Sequence, residues 1–148
     1  MSDVFISYAR ADAPQAQRLS ALLEGEGVGV FQDQALVAGE NWSAAVRDAL
    51  ADSRIIVALL SRNSVRSKWV EEDILDAMRH GQRIAPVLLD EHGKENWVWP
   101  VLAGWQAFDL TAGNTLESVA AAVLHTLRKK DAEQEIQQRS PYGVSART

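Results

Sequence analysis

The stretch RIIVALL, residues 54–60, decides the fold class of this chain. Every residue after Arg54 is apolar, so the strand that it predicts must be buried on both faces, as in the centre of a parallel sheet. Short β-branched runs alternate with helical patterns on either side of it. Because each parallel crossover needs a helix of its own, the pattern predicts an α/β fold with helices on both faces of the sheet.

Four more strands and four helices are predicted around this stretch. The strands are residues 3–8, 28–32, 83–90 and 105–110, and the helices are 12–27, 41–53, 67–77 and 116–130. Asp12, Asn41 and Ser67 are predicted helix N-caps, and Pro86 fits a central strand less well than its neighbours do. Right-handed crossovers favour a flavodoxin-like, doubly wound, five-stranded sheet of order 2-1-3-4-5.

Composition sets the broad class of the protein. The 148 residues carry a net charge of −5, which argues against a nucleic-acid-binding face. No cysteine is present, which excludes disulfides, thiol catalysis and thiolate-bound zinc. Without a signal-peptide pattern or a membrane-length apolar run, we expect a soluble, cytoplasmic protein with no membrane partner. We predict one domain over residues 1–130 and a polar tail or linker over residues 131–148.

Several classes of doubly wound protein do not match. A phospho-accepting aspartate is missing after the third strand, where the sequence reads LLSRNS. Neither GxGxxG nor GxxxxGK[ST] occurs, so Rossmann dinucleotide binding and P-loop chemistry are unsupported. His80, His92 and His125 show no metal-ligand spacing, and we predict no metal site.

Four motifs, in order and at the right spacing, resemble the TIR (Toll/interleukin-1 receptor) domain family in its bacterial form. They are DVFISYARAD (3–12), VFQDQALVAGENW (30–42), VALLSRNSVRSKWVEEDI (57–74) and RIAPVLL (83–89). The resemblance runs from about Asp3 to about Lys130. It implies homotypic TIR–TIR association, notably through the loop Gln34–Gly39. For the enzymatic members it also implies cleavage of NAD at the nicotinamide–ribose bond, giving linear or cyclic ADP-ribose.

The resemblance implies a catalytic glutamate four residues after the tryptophan of the S-x-W motif. In this chain that position is Asp73, one methylene shorter, while Glu71 and Glu72 lie two and three residues after Trp69. Helical spacing puts Asp73 on the same edge as Trp69, next to the core and near a cleft at the strand ends, and turns Glu72 away. Asp73 is therefore the first candidate and Glu72 the reserve. The alternative is that these acids have only a structural role, since carboxylates in the first turns of a helix interact favourably with its dipole.

Other residues at the predicted carboxyl ends of the strands are candidates for binding the nucleotide. Arg10 could hold a diphosphate or form an ion pair with Asp12 or Asp33. Trp69 could stack on a ring or cover the core. Asp33 could take a ribose hydroxyl or cap a turn, Gly39 most simply supplies a backbone angle, and Tyr8 ends the first strand.

Three tryptophans lie farther from these strand ends. Trp42 is interpreted as a cover of the core. Trp97 and Trp99 could form a partner-facing patch or pack over the edge of the sheet.

The sequence thus favours a TIR domain that cleaves NAD when TIR domains assemble, in bacterial defence signalling. NAD is the expected substrate, no separate cofactor is expected, and other TIR domains are the expected partners. A non-enzymatic TIR–TIR association module, or a mimic that binds host TIR adaptors, is the alternative, because Asp73 stands where the family has glutamate.

Overall fold

Five parallel strands form one sheet in the computed structural model, which describes residues 3–32, 44–95, 99–102 and 107–139. The strands are β1 (Val4–Ser7), β2 (Val30–Gln32), β3 (Ile55–Leu60), β4 (Arg83–Leu88) and β5 (Phe108–Asp109). Their order is β2-β1-β3-β4-β5, and each neighbouring pair is parallel. The predicted flavodoxin-like order is therefore confirmed.

Helices cover both faces of this sheet. They are α1 (Ala13–Glu24), α2 (Ala44–Asp52), α3 (Lys68–Arg79), α4 (Trp99–Leu102) and α5 (Leu116–Arg139). On one face, Val4 and Ile6 pack with apolar residues of α1 and α5. On the other, Phe5 packs with Leu50 of α2 and Ile74 of α3. β3 is buried along its whole length, as its sequence predicts.

The observed bounds of β2 and β4 differ from the predicted ones. β2 begins at Val30 and β4 ends at Leu88, so both are two residues shorter than predicted. Pro86 lies in register with Ala58 of β3, whereas the ladder between β4 and β5 starts only at Val87. Proline is tolerated there because β4 is paired on one side only at that position.

The predicted helix caps had different outcomes. Ser67 caps α3 as predicted, since its side chain accepts a hydrogen bond from the Val70 N–H at 3.3 Å. Asp12 occupies the N-cap position of α1 as predicted, but its side chain makes no capping hydrogen bond. The carboxylate instead binds two side chains of the loop after β3. Asn41 lies outside the described residues.

The C-terminal helix is longer than its apolar pattern predicts. α5 continues through Lys130 to Arg139, and residues 131–136 are exposed. Residues with high helix propensity, such as Ala132, Glu133 and Gln134, extend the helix although they are exposed. The domain boundary at residue 130 stays a prediction, but residues 131–139 are helical.

Some sequence predictions concern residues that the structure does not describe. Asp33, Gly39, Trp42 and Trp97 are among them, and so is the whole loop 34–39. Trp99, by contrast, is half-buried and packs against the cluster on the α2–α3 face. Packing against the core is therefore the reading that fits Trp99.

Candidate functional site

A depression of ≈ 610 Å³ lies at the carboxyl edge of the sheet, beside the switch point between β1 and β3. The loops after β1, β3 and β4 and the start of α3 form its walls. The charged and aromatic side chains that line it are Arg10, Arg62, Arg66, Trp69, His92 and Glu95. Crevices at this place are where open α/β sheets bind their ligands.

Positive charge predominates in this depression. The lining contains Arg10, Arg62 and Arg66 together with Glu95, whose carboxylate contacts the His92 ring at 2.5 Å. Across the ranges that the structure covers, no carboxylate forms an ion pair with any of the three guanidinium groups. Unpaired guanidinium groups can bind two phosphate oxygens each, so the depression suits a phosphorylated ligand.

Trp69 stands at the edge of the depression with 44% of its surface exposed. Trp69 is the second residue of α3, next to the buried Val70, and it belongs to neither of the two core clusters. The alternative that Trp69 covers the core fits the structure less well, because almost half of the residue is open to solvent. An aromatic face left open beside cationic groups can stack on a flat ring.

Asp73 is fully buried at the end of β1, with 0% of its surface exposed. Its carboxylate accepts a hydrogen bond from the Ser7 hydroxyl at 2.6 Å. The helical spacing explains the burial, because Val70, Ile74 and Ala77 lie on the sheet and turn Asp73 towards it. The expectation that Asp73 faces an open cleft is wrong in this structure. The carboxylate lies one helical turn behind Trp69, and it is covered.

The other acids of α3 face elsewhere. Glu72 is exposed and Glu71 half-buried, as the helical spacing predicts. Asp76, which sequence reasoning passed over, is buried with its carboxylate 3.8 Å from the Arg79 guanidinium. Its spacing of three residues from Asp73, which puts both side chains on one face of the helix, was the signal in the sequence for its burial. Of the two predicted catalytic acids, the structure brings Asp73 to the end of the sheet and leaves Glu72 on the outer surface.

Tyr8 lies on the opposite side of the sheet from Asp73. Side chains alternate along a strand, and Ser7 faces α3 while Tyr8 packs in the cluster with α1 and α5. Only 3% of Tyr8 is exposed. The structure therefore groups Arg10 with Trp69 around the depression and separates Tyr8 from both.

A second buried carboxylate, Asp12, was missed as a site residue. It accepts hydrogen bonds from the Ser61 hydroxyl and from the Asn63 side-chain amide, the latter at 2.9 Å. Asp12 is therefore not the ion-pair partner that the sequence offered for Arg10. The signal in the sequence was its place in the segment that links β1 to α1, near the polar run that follows β3.

Comparisons with known proteins agree on one family. A family model described as the TIR domain matches residues 4–125. Over 53 residues the chain is 36% identical to the disease resistance protein RML1A of Arabidopsis thaliana, a match that covers 36% of this chain and 5% of that protein.

Solved structures share the fold. The TIR domain of the Toll-related receptor TRR-2 from Hydra magnipapillata gives a TM-score of 0.66 at 18% identity, covering 88% of this chain and 98% of that one. The TIR domains of the activated Roq1 resistosome give 0.65 at 21% identity, covering 87% and 99%. The RPS4–RRS1 TIR domain heterodimer gives 0.62 at 14% identity, covering 87% and 97%.

Among the residues that the structure describes, no helix combines the length and the apolar character needed to cross a bilayer.

Proposed function

Because the chain belongs to the TIR domain family, we propose that it binds NAD in the depression and cleaves the bond between nicotinamide and ribose. Cleavage takes place when TIR domains assemble, in bacterial defence signalling in the cytoplasm. The products are nicotinamide and ADP-ribose, in linear or cyclic form. NAD is the substrate, and no further cofactor takes part.

The observation that carries this proposal is the meeting of three guanidinium groups and an open indole in one depression. Arg10, Arg62 and Arg66 supply charge for a diphosphate, and Trp69 supplies a face for a planar ring. α3 starts beside them at Lys68, so its N-terminal dipole favours an anion at the same place. A dinucleotide needs this combination of charge and stacking surface.

Asp73 is the carboxylate that we assign to the chemistry. Loss of neutral nicotinamide leaves positive charge on the ribose, and a fixed anion stabilises that charge more than it stabilises the ground state. Water, or a nitrogen of the adenine when the product is cyclic, then bonds to the ribose carbon and releases a proton. Since Asp73 is covered and bound to Ser7, assembly must uncover it before it can act.

Association without catalysis is the second candidate function. Its support is the complete burial of Asp73, whose hydrogen bond to Ser7 joins α3 to β1 and would suffice as a structural role. Two of the solved structures with this fold are TIR domains in assemblies, namely the Roq1 resistosome and the RPS4–RRS1 heterodimer.

Nicotinamide release separates the two candidates. We expect turnover from the wild-type domain when it is clustered by fusion to an oligomer-forming partner, and little from the dispersed domain. Asp73→Asn keeps an oxygen that accepts from Ser7 but loses the charge, so the fold should persist while turnover falls by about 100-fold or more. Glu72→Gln removes a neighbouring charge on the exposed side and should retain wild-type turnover.

Each alternative result has its own meaning. No turnover from the clustered wild type would leave association as the function. Loss of turnover in Glu72→Gln alone would assign the chemistry to Glu72. Circular dichroism of both variants controls for unfolding.

A further inference from the structure

We propose that Asp12 is a positioning residue that holds the arginines of the depression at the spacing a diphosphate requires. The nucleotide nature of the ligand rests on the proposed function, whereas the positioning role requires only that an anion binds. Asp12 does not line the depression, and its effect passes through the residues to which it is hydrogen-bonded.

Asp12 joins two loops that are far apart in sequence. Only 4% of it is exposed, and its two carboxylate oxygens accept from Ser61 and from Asn63, which are 49 and 51 residues away. Arg10 stands in the same 3₁₀ turn as Asp12, Arg10–Asp12. Arg62 stands between the two donors. One carboxylate therefore connects the backbone segments that carry both arginines.

The loop after β3 is itself closed by hydrogen bonds that centre on Ser61. The Ser61 hydroxyl accepts from the N–H groups of Asn63 and Ser64, at 3.0 and 3.2 Å. The Ser64 hydroxyl accepts from the Ser61 N–H at 2.8 Å and donates to the Ser61 carbonyl at 3.1 Å. This rigid turn leads directly to Arg66. A shift of Ser61 would therefore move Arg62 and Arg66 together.

A second carboxylate fixes the far side of Arg62. Asp90 accepts from the Arg62 N–H at 3.1 Å and from the Gly93 N–H at 3.1 Å. The backbone of Arg62 is thus held towards β4, and its distance from Arg10 depends on the link through Asp12. Binding groups that are fixed before the ligand arrives lose less entropy on binding, so breaking that link should weaken anion binding.

The test removes the acceptor oxygens of Asp12 in two steps. In Asp12→Asn only one acceptor oxygen remains, so either the hydrogen bond from Ser61 or the one from Asn63 is lost. In Asp12→Leu both hydrogen bonds are lost, while a side chain of similar size fills the buried site. Gln82→Ala is the matched control, since Gln82 donates to carbonyls of α2 and its neighbouring loop at the opposite edge of the sheet.

Binding is measured by calorimetry, well below the melting temperature, with two probes, ADP-ribose and inorganic pyrophosphate. ADP-ribose has no nicotinamide bond, so no turnover is needed. We expect the Kd of Asp12→Asn for each probe to rise about tenfold, the effect of one lost hydrogen bond, and the Kd of Asp12→Leu to rise further. Gln82→Ala should lower Tm and leave Kd unchanged.

A purely structural Asp12 would give a different pattern. If Asp12→Asn lowers Tm while its Kd for pyrophosphate stays at the wild-type value, the positioning role is refuted. A Kd of Asp12→Leu that stays at the wild-type value would refute it as well, and so would a wild type that binds neither probe. If pyrophosphate binds and responds to Asp12 while ADP-ribose does not bind, the positioning role holds and the proposed NAD function fails.

Discussion

Asp109, at the end of β5, shows how one hydroxyl group can set the ionisation of a carboxylate. The Thr111 hydroxyl is the main cause that lowers the pKa of Asp109 below its usual value, and the Thr111 N–H contributes as well. A folded-state pKa below the unfolded one stabilises the fold above the unfolded pKa, and that contribution is lost as pH falls through the folded pKa.

Removal of the hydroxyl should reverse this shift. In Thr111→Val we expect the pKa of Asp109 to rise towards its usual value, which a carboxyl NMR titration measures directly. Glu117 is an internal control, because its lowered pKa comes first from its own N–H and then from Arg18. An unchanged Asp109 titration in the variant would show that the backbone N–H alone sets the shift.

Single residues also show where the sequence alone was sufficient and where it was not. Helical spacing predicted that Asp73 lies against the core while Glu72 turns outward, because spacing along one helix is a local property. The bond between Asp73 and Ser7 spans 66 residues and left no local signal. Asp12 occupies the predicted N-cap position, but its carboxylate binds Ser61 and Asn63, and these distant partners left no local signal either.

Among the elements that the structure describes, the 3₁₀ helix Glu91–Glu95 contains a glycine, Gly93, whose position leaves no room for a side chain. A Cβ at Gly93 would lie 2.6 Å from the Leu60 carbonyl oxygen and 2.6 Å from Leu88 Cδ1. The first of these atoms belongs to the backbone of β3 and has little freedom to move. The element therefore packs directly on the strand ends, and it brings His92 and Glu95 to the depression.

Gly93→Ala should therefore disturb both stability and binding. We expect the free energy of unfolding to fall by about 1–3 kcal/mol, as for other overpacked sites, and the affinity for ADP-ribose to fall because the wall moves. Urea denaturation and calorimetry measure the two effects. Gly25→Ala is the comparison variant, since its Cβ would lie 3.3 Å from the nearest atom at an ordinary helical φ of −60°. Equal losses in the two variants would contradict this account.

Elements with strong periodicity were predicted well, and their ends were not. The apolar stripe of α3 predicted its packing face, and the N-cap at Ser67 predicted where the helix begins. The end of α5 was missed by nine residues, because its final part has no apolar stripe to detect. There Asp131 pairs with Arg54 at 2.9 Å, a tertiary contact that the periodicity of α5 does not reveal.

At the scale of the whole molecule, the strand order could be predicted because chirality and burial leave few topologies for five parallel strands. The depression could be located at the carboxyl edge for the same reason. Its shape and the covering of Asp73 could not, since both depend on hydrogen bonds between loops distant in sequence. A fold is specified by repeated patterns, whereas a site is specified by single contacts.

The sheet is also the shared wall of two cores, and this arrangement predicts how the protein unfolds. Leu59 packs in the cluster with α1 and α5, and its neighbour Leu60 packs in the cluster with α2 and α3. Because β3 belongs to both, loss of either cluster should unfold the other.

Leu59→Ala and Leu60→Ala should each lower the free energy of unfolding by about 2–5 kcal/mol, with coincident transitions by tryptophan fluorescence and circular dichroism. Val65→Ala, at a site that is 36% exposed, should change it by less than about 0.5 kcal/mol. Separate transitions in either leucine variant would mean that the two faces fold independently.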